Sequence, residues 1–328
     1  MGYPASQDAP ASESIRKTKL PVWIVVGVIL IAAAAMLLFI PNASAMEECD
    51  NRGHSSLQSA ASDCDMDAVK CFVAAGADIN ARDTLNSLPL TAAINNRLGC
   101  LNIVEFLVKQ GVDIEVGDGG RMGNSPLSNA VGRGHLNIVK YLVEQGADIN
   151  ATNNIGGTAL HFAAVHGNSN IVKFLAERGA NIEARDNYGD TPLILAANMN
   201  ILRMPQSVRA NFGRLNTVKY LVEHGADIET RNNDGDTALI RATNACYLSV
   251  IKYLVEQGAD INVKNNDGNT ALIFAARACY LPVIEYLVEQ GADIEVKNND
   301  GHTAQETAAD EGRQDIAEYL AEQAVMNI

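Results

Sequence analysis

Apolar residues follow two different patterns along the chain. Val22–Ile40 is an unbroken run of 19 residues without a charged or strongly polar side chain. Beyond about residue 50, apolar residues instead come in short groups with helical spacing, as in Asn137–Gln145 (NIVKYLVEQ), where Ile, Val and Leu form one stripe. The first pattern predicts one long apolar helix, and the second predicts a series of short helices that each bury one side.

The apolar run has the length and the flanking charges of a membrane-spanning helix. A helix of this length covers roughly 28 Å, which is close to the hydrocarbon thickness of a bilayer. Arg16, Lys17 and Lys19 precede the run and acidic residues follow it, so the positive-inside rule places residues 1–20 in the cytoplasm and the later residues across the membrane. We therefore expect a disordered cytoplasmic tail over 1–20, a transmembrane helix over 21–41 that spans the membrane through residues 22–40, and a linker over 42–49.

A cleaved secretory signal is the alternative. Ala43-Ser44-Ala45 has the small-x-small form of a signal-peptidase site and follows the run directly. The anchor is favoured because the apolar core of a signal is usually only about 7–15 residues long. A buried soluble helix is disfavoured because a helix that is apolar on every side leaves none for water. In both leading interpretations the rest of the chain is exported to the periplasm or the cell exterior. The anchor makes it a single-pass membrane protein, and the cleaved signal makes it a secreted one.

The exported part of the chain repeats itself. Asn266–Asn298 is nearly a copy of Asn233–Asn265. A Gly-Ala-Asp triplet or a near variant marks each copy, with spacings of 35, 35, 33, 46, 33 and 33 residues between successive triplets. A unit of 33 residues with a few insertions accounts for these spacings. The triplets begin at Gly76, Gly111, Gly146, Gly179, Gly225, Gly258 and Gly291.

Each unit contains the signals for a turn and two helices. An Asn/Asp-Gly turn opens it, as at 234–235, because Gly accepts the positive φ of a tight hairpin. Thr with Pro or Ala and then Leu follows, as at 191–193, where Thr can cap a helix and Pro fits its first turn. An Ala-rich helix then ends at a Gly such as Gly167, and a second, amphipathic helix ends at the Gly of the triplet.

This pattern resembles the ankyrin repeat. Gly156–Asp186 (GGTALHFAAVHGNSNIVKFLAERGANIEARD) is similar to the family's motif over its whole length, and it is one of eight copies in register. The resemblance implies an all-α fold, an ankyrin-repeat solenoid of stacked helix-turn-helix units with short β-hairpin fingers over residues 50–328. The copies are expected near residues 50–82, 83–117, 118–152, 153–185, 186–231, 232–264, 265–297 and 298–328.

The two end copies are more polar than the inner ones. The first has Ser55, Ser56 and Ser59 in its opening helix, and the last has Gln305 and Glu306 where inner copies are apolar. A stack of repeats needs polar outer faces at its ends. We therefore expect these two copies to act as caps.

Insertions interrupt the period in three copies. The copy at 83 gains two residues between its helices, the copy at 118 gains two in its hairpin, and the copy at 186 gains thirteen within Asn198–Arg214. The long insertion combines basic and apolar residues on an otherwise acidic chain, so it is a candidate second docking loop. Neutral drift of a tolerated surface loop is the alternative. The candidate docking residues are Arg203, Arg209, Phe212 and Arg214.

The six cysteines show neither a CxxC pair nor the spacing of a metal site. Cys246 and Cys279 occupy equivalent places in adjacent copies. We expect this pair to be unbonded, because helices of stacked repeats lie about 8–10 Å apart and a disulfide needs Cα atoms within roughly 7 Å. The other four are better placed to pair in an oxidising compartment, with Cys64–Cys100 as the first candidate, although we expect each to be a buried free thiol. These four are Cys49, Cys64, Cys71 and Cys100.

Charge and motif content exclude several function classes. Residues 46–328 carry 22 basic and 37 acidic side chains, a net charge of −15, which repels the phosphate backbone of nucleic acids. None of the six histidines has a second ligand at the spacing of a metal site, and no nucleophile-elbow, Walker or dinucleotide-binding motif occurs. The finger sequences also lack the ligand spacing of a calcium loop. We therefore expect no enzymatic activity, cofactor, metal or small-molecule substrate.

The resemblance implies that the chain binds a protein partner through its finger tips and the exposed side of each first helix. Side chains at these places vary between copies while the frame repeats. The chain is then a membrane-tethered interaction module on the non-cytoplasmic side or, alternatively, a secreted binder or effector released by cleavage after Ala45. The candidate tip residues are Asn154, Ile155, Tyr188, Asp190, Asp236, Asn269 and His302, and the candidate helix residues are Val165, His166, Asn244, Arg277 and Asp310.

Overall fold

The computed structural model describes residue 49 and residues 53–84, 86–198 and 211–326 of the 328-residue chain. The segment predicted to span a membrane lies outside these ranges. Among the described residues, no helix is both long and apolar enough to cross a bilayer. Sixteen helices within the described ranges form eight successive pairs, which we number as repeats 1–8.

Each repeat contains a first and a second helix. The first helices are α1 (Leu57–Ser62), α3 (Pro89–Asn95), α5 (Pro126–Arg133), α7 (Ala159–His166), α9 (Pro192–Ala197), α11 (Ala238–Asn244), α13 (Ala271–Ala278) and α15 (Ala304–Asp310). The second helices are α2 (Met66–Ala74), α4 (Leu101–Lys109), α6 (Leu136–Glu144), α8 (Ser169–Glu177), α10 (Asn211–Glu223), α12 (Leu248–Glu256), α14 (Leu281–Glu289) and α16 (Gln314–Met326).

The ends of the first helices follow the sequence signals. Thr270 precedes α13, and its side chain accepts a hydrogen bond from the backbone N–H of Ile273, which satisfies a helix N–H group that has no partner within the helix. Pro192 occupies the first turn of α9. Gly134 and Gly167 end α5 and α7 in the left-handed conformation, at φ 76° and 66°. Local residues therefore determine where these helices begin and end, without contacts between repeats.

The core runs through the whole stack. Each first helix packs against the first helix of the next repeat. One leucine slot in these helices is at most 1% exposed in repeats 2–7, because the neighbouring repeat covers it. A single repeat cannot bury this side chain alone, so the stability of each repeat depends on its neighbours. The leucines in this slot are Leu90, Leu127, Leu160, Leu193, Leu239 and Leu272.

The fingers differ from the expected β-hairpins, since the described residues contain no β-strand. In repeat 7, the N–H of Asn265 donates to the carbonyl of Asn269, and the N–H of Gly268 donates back to the carbonyl of Asn265, both at 3.0 Å. The N–H groups of Asp267 and Asn269 both donate to the Asn265 side chain, and the N–H of Asn266 donates to the carbonyl of Asp234 in the preceding finger. The finger is a loop closed by its own asparagine and is too short for a ladder of strand pairs.

One slot of the second helices is aromatic in repeats 2–8. Lysines of one repeat lie over the ring of the next, with Lys219 Nζ 5.4 Å from the centre of Tyr253 and Lys252 Nζ 5.1 Å from that of Tyr286. Such contacts add a favourable electrostatic term to the packing of neighbouring repeats. The sequence interpretation does not single out this slot, whose residues are Phe106, Tyr141, Phe174, Tyr220, Tyr253, Tyr286 and Tyr319.

The six cysteines form three disulfides, so the expectation of free thiols is wrong. Cys64–Cys100, the first candidate, is bonded with its Cα atoms 5.5 Å apart, and Cys49–Cys71 is bonded at 5.8 Å. Cys246–Cys279, which we expected to be unbonded, is also a disulfide, with its Cα atoms 5.2 Å apart. That expectation used the distance between helices. Both cysteines instead lie in the turns between helices, with Cys246 in the left-handed conformation at φ 55° and Cys279 extended at the end of α13.

Candidate partner-binding face

Asparagine side chains join the fingers of successive repeats. The Oδ1 of Asn265 accepts hydrogen bonds from the backbone N–H groups of Asp267 and Asn269, each at 3.0 Å. The Nδ2 of the same side chain donates to Asp236 Oδ1 in the preceding finger, at 2.8 Å. Each such asparagine therefore shapes its own finger and ties it to the one before. Equivalent bridges start at Asn153, Asn232 and Asn298.

The second asparagine of a finger makes a separate bond between repeats. The backbone N–H of Asn266 donates to the carbonyl of Asp234 at 2.9 Å, and its Nδ2 donates to the carbonyl of Asn233 at 2.8 Å. Gly235 lies directly against Asn266. It has φ +78°, and a Cβ atom added to it would lie 2.5 Å from Asn266 Oδ1. Glycine is needed here both for the left-handed backbone and for the close approach of the next finger.

This frame uses three of the residues predicted to contact a partner. Asp190, Asp236 and Asn269 accept the bonds of the next finger and are 7%, 5% and 5% exposed. Burial raises the pKa of Asp190 and of Asp236, although hydrogen bonds from the next asparagine and the nearby charge of Arg241 act in the opposite direction. Side chains buried in this way are not available to a partner, so these three residues belong to the frame of the fingers and not to the exposed face.

The other predicted tip residues lie at the surface to different degrees. Tyr188 is 61% exposed, and Ile155 is partly buried. Asn154 is exposed, although its Nδ2 donates to the carbonyl of Arg121 at 3.3 Å. His302 is exposed in the last finger, with Nδ1 3.1 Å from Asp310 Oδ2.

The predicted residues of the first helices also reach the surface. His166 and Arg277 are exposed, whereas Val165 and Asn244 are partly buried. The His166 ring bonds back to the carbonyl of Phe162 in its own helix at 2.8 Å. Arg277 and Asp310 approach neighbouring charges of the last two repeats. The structure therefore leaves nine of the twelve predicted face residues with exposed or partly exposed side chains.

Comparison with known families decides what this stack is. A family model described as ankyrin repeats (3 copies) matches the chain in overlapping stretches over residues 31–118, 57–153, 101–186, 127–208, 203–265 and 258–328. The chain belongs to the ankyrin-repeat family. No curated protein matches it. Membership of this family supports a protein-binding function.

One slot of the ankyrin fingers holds further exposed residues beside two of the predicted ones. It directly precedes the finger glycine. Ile155 and Tyr188 occupy it in repeats 4 and 5, and both are among the predicted residues. In repeats 6–8 it holds Asp234, Asp267 and Asp300, which are exposed and were missed. Its position before each finger glycine, combined with its change of residue type, was the available signal.

A second missed slot lies on the first helices, two residues after the buried leucine. Arg241 fills it in repeat 6, and its guanidinium reaches back to Asp234 in its own finger at 3.1 Å. Asn129 in repeat 3 likewise bonds to its own finger. In these two repeats the slot therefore faces the finger of its own repeat. In repeats 4 and 5 it holds Phe162 and Leu195, which are partly buried.

Little of the predicted docking loop falls within the described residues. Arg203 and Arg209 lie outside them, and of Phe212 only the helical backbone of α10 is described. Arg214 is partly buried, and it donates a hydrogen bond to the carbonyl of Asn198 at 3.1 Å. Burial lowers the pKa of this guanidinium. Arg214 thus joins the two ends of the insertion, and its bond to Asn198 leaves it poorly placed to contact a partner.

Proposed function

We propose that this ankyrin-repeat chain binds a protein partner on the face formed by its finger tips and first helices. The observation that carries the proposal is the contrast between two neighbouring sets of residues. The asparagines and glycines that join the fingers recur from repeat to repeat, whereas the slot before each finger glycine changes from Ile155 to Tyr188 to Asp234. Side chains that vary on a repeated frame are the composition expected of a recognition surface.

We further propose that this face lies outside the cytoplasm. The sequence of residues 16–40 supports export, and the three disulfides support it independently, because disulfides persist in oxidising compartments and are rare in the cytosol. In this proposal residues 22–40 hold the repeats at the membrane. Release after Ala45 is the second candidate, favoured by the Ala43-Ser44-Ala45 sequence.

Location is tested on the full-length chain with a C-terminal reporter that is active only in the cytoplasm. The reporter should stay silent, and a bright signal would contradict export. Mass and fractionation then separate the two candidates. An intact chain of 35.0 kDa in the membrane fraction supports the anchor, whereas a soluble product that begins at Met46 supports release.

Partner binding is tested by substitution of Tyr188, an exposed aromatic residue of the fingers. Tyr188→Glu places a charge at the centre of the proposed face, and Asn170→Glu places the same charge on an exposed position of α8. A partner cross-linked to the full-length chain in its native host should be lost with Tyr188→Glu and retained with Asn170→Glu. Equal retention by both variants would exclude this face as the binding site.

A further inference from the structure

The disulfides of the first two repeats interleave along the chain. Cys49 is bonded to Cys71. Cys64 lies between these two in sequence and is bonded to Cys100, which precedes α4 of repeat 2. Native pairing therefore requires each of the first two cysteines to bypass the cysteine that follows it.

Loop closure in an unfolded chain favours different pairs. The entropic cost of bringing two residues together rises with the length of the loop between them. Cys64 is nearer in sequence to Cys49 and to Cys71 than these two are to each other, whereas its native partner is 36 residues away. Chain entropy alone therefore favours bonds of Cys64 that are absent from the folded chain.

Repeat 1 cannot correct this preference by folding on its own. Leu57 of α1 is 4% exposed, and α1 packs against α3 of repeat 2. A single repeat leaves such an apolar face uncovered, so repeat 1 is not stable until α3 is present. In a chain exported in sequence order, the first three cysteines reach the oxidising compartment before α3 and Cys100 do.

Packing of the first two repeats stabilises the native pairs. Cys49 and Cys100 are 3% and 2% exposed and belong to the same core as Leu57. Each native bond therefore contains one sulfur that is buried when repeats 1 and 2 pack together. Exchange proceeds toward these pairs once a thiolate is present to attack the wrong ones.

We infer that the exported chain is a substrate of a thiol–disulfide isomerase, which replaces a first-formed wrong bond of Cys64 by the native pairs Cys49–Cys71 and Cys64–Cys100. This inference goes beyond the proposed binding function and rests on the proposed export. The partner that it requires carries a reactive thiolate in the oxidising compartment and acts on repeats 1 and 2 before they pack.

The correction is a cycle of three exchanges that needs no oxidant. In a chain with the sequential bonds Cys49–Cys64 and Cys71–Cys100, the isomerase thiolate attacks Cys64 Sγ, forms a mixed disulfide and releases the Cys49 thiolate. The Cys49 thiolate attacks Cys71 Sγ, which forms the first native bond and releases the Cys100 thiolate. The Cys100 thiolate then attacks Cys64 Sγ, which forms the second native bond and releases the isomerase thiolate unchanged.

The test expresses the full-length chain in a bacterial host that oxidises exported proteins, once with its periplasmic disulfide isomerase and once without it. Free thiols are blocked on lysis, and the bonds are mapped by proteolysis and mass spectrometry. Without the isomerase, at most about one third of the chains should carry both native N-terminal pairs, the share expected from random choice among the three pairings of four cysteines. With the isomerase, the native pairs should predominate.

The bond at the other end of the stack is an internal control. No cysteine lies between Cys246 and Cys279 in sequence, so neither has to bypass another cysteine to find its partner. This bond should form in both hosts.

Two variants test whether interleaving is the cause. Cys49→Ala with Cys71→Ala leaves only the Cys64–Cys100 pair in the first two repeats, and Cys64→Gly with Cys100→Ala leaves only the Cys49–Cys71 pair. Neither variant contains a wrong partner within these repeats, so the remaining bond should form in both hosts. The bonds are identified by mass, so the result does not depend on whether a variant folds fully.

Each outcome bears on a different claim. Native pairs in both hosts for the wild type, or wrong pairs in both, would overturn the inference and leave the proposed export standing. A need for the isomerase that persists in the two variants would also overturn it, because interleaving would not be the cause. Cysteines that stay reduced in both hosts would contradict the export and the inference together.

Discussion

At the scale of single residues, His161 shows how one side chain joins two repeats. Its Nδ1 accepts hydrogen bonds from the N–H and the hydroxyl of Thr158, at 3.1 and 2.9 Å, and its Nε2 donates to the carbonyl of Asp190 in the next repeat at 3.1 Å. This pattern requires a neutral ring with its proton on Nε2. Burial lowers the pKa of His161, although the Asp190 carbonyl and the Asp186 charge oppose that shift.

We predict that His161 makes the folded state less stable in mild acid. Its pKa in the folded chain lies below the value of about 6.5 in an unfolded chain, so between the two values the unfolded state binds more protons, and the free energy of unfolding falls as pH decreases. In urea melts, the free energy of unfolding should fall more between pH 7.5 and pH 5.5 for the wild type than for His161→Gln. His224→Gln, which removes an exposed histidine, should keep the wild-type loss. Identical losses in all three proteins would refute the assignment.

The leucine slot gives a prediction about packing. Leu272 is 1% exposed between α11 and α15, so Leu272→Ala should lower the free energy of unfolding by about 2–5 kcal/mol through lost burial and a cavity. Leu98, which is 85% exposed, provides the control, and Leu98→Ala should change it by less than about 0.5 kcal/mol. Both values come from urea unfolding of the full-length chain. Equal effects of the two substitutions would mean that Leu272 is not a core residue.

At the scale of elements, the turns between helices behave differently from the helices they join. A glycine normally ends the first helix in the left-handed conformation, and Cys64 and Cys246 hold that conformation at φ 60° and 55° without being glycine. A side chain with a Cβ atom pays a steric cost there. In both cases the cysteine is bonded to the neighbouring repeat, so the covalent link offsets the cost of the conformation.

We predict that the Cys246–Cys279 bond stabilises repeats 6 and 7 by roughly 3–4 kcal/mol, the value expected when a cross-link closes a loop of 33 residues. The double variant Cys246→Gly with Cys279→Ala should unfold at lower urea concentration than the oxidised wild type. Glycine adopts the left-handed conformation of this turn without steric cost. The free energy of unfolding should therefore fall less in this variant than in Cys246→Ala with Cys279→Ala. If the oxidised wild type and the glycine variant unfold together, the bond does not contribute.

The elements also show how far the sequence could be interpreted alone. Thr270, Pro192 and Gly167 act through neighbours in sequence, so their roles as caps and stops were predictable. Asp236 was misplaced because its burial depends on Asn265, which is 29 residues away and belongs to the next finger. Short-range patterns therefore located the helices, whereas contacts between repeats decided which tip residues remain exposed.

At the scale of the whole molecule, the same kind of contact recurs along the stack and couples each repeat to the next. Hydrogen bonds from Asn153 to Asn124 and from Asn298 to Asn269 belong to one series that runs along the fingers. The leucine slot and the aromatic slot form two more series on the helices. Local sequence predicted the repeat unit and its period, but the aromatic slot required the observation that rings and lysines of adjacent repeats meet.

The disulfides have a consequence for a chain that is pulled from its two ends. A tether that fixes one end to a membrane, with a partner at the other, would apply force along the stack. The segment between Cys246 and Cys279 cannot be extended while the bond is intact. The oxidised chain is therefore shorter at full extension by about 110–120 Å, the length of 33 extended residues. Single-molecule pulling of the full-length chain should release this length only after a reductant is added, and the Cys246→Gly with Cys279→Ala variant should release it without one. The bond between repeats 6 and 7 thus limits how far force can extend the oxidised chain.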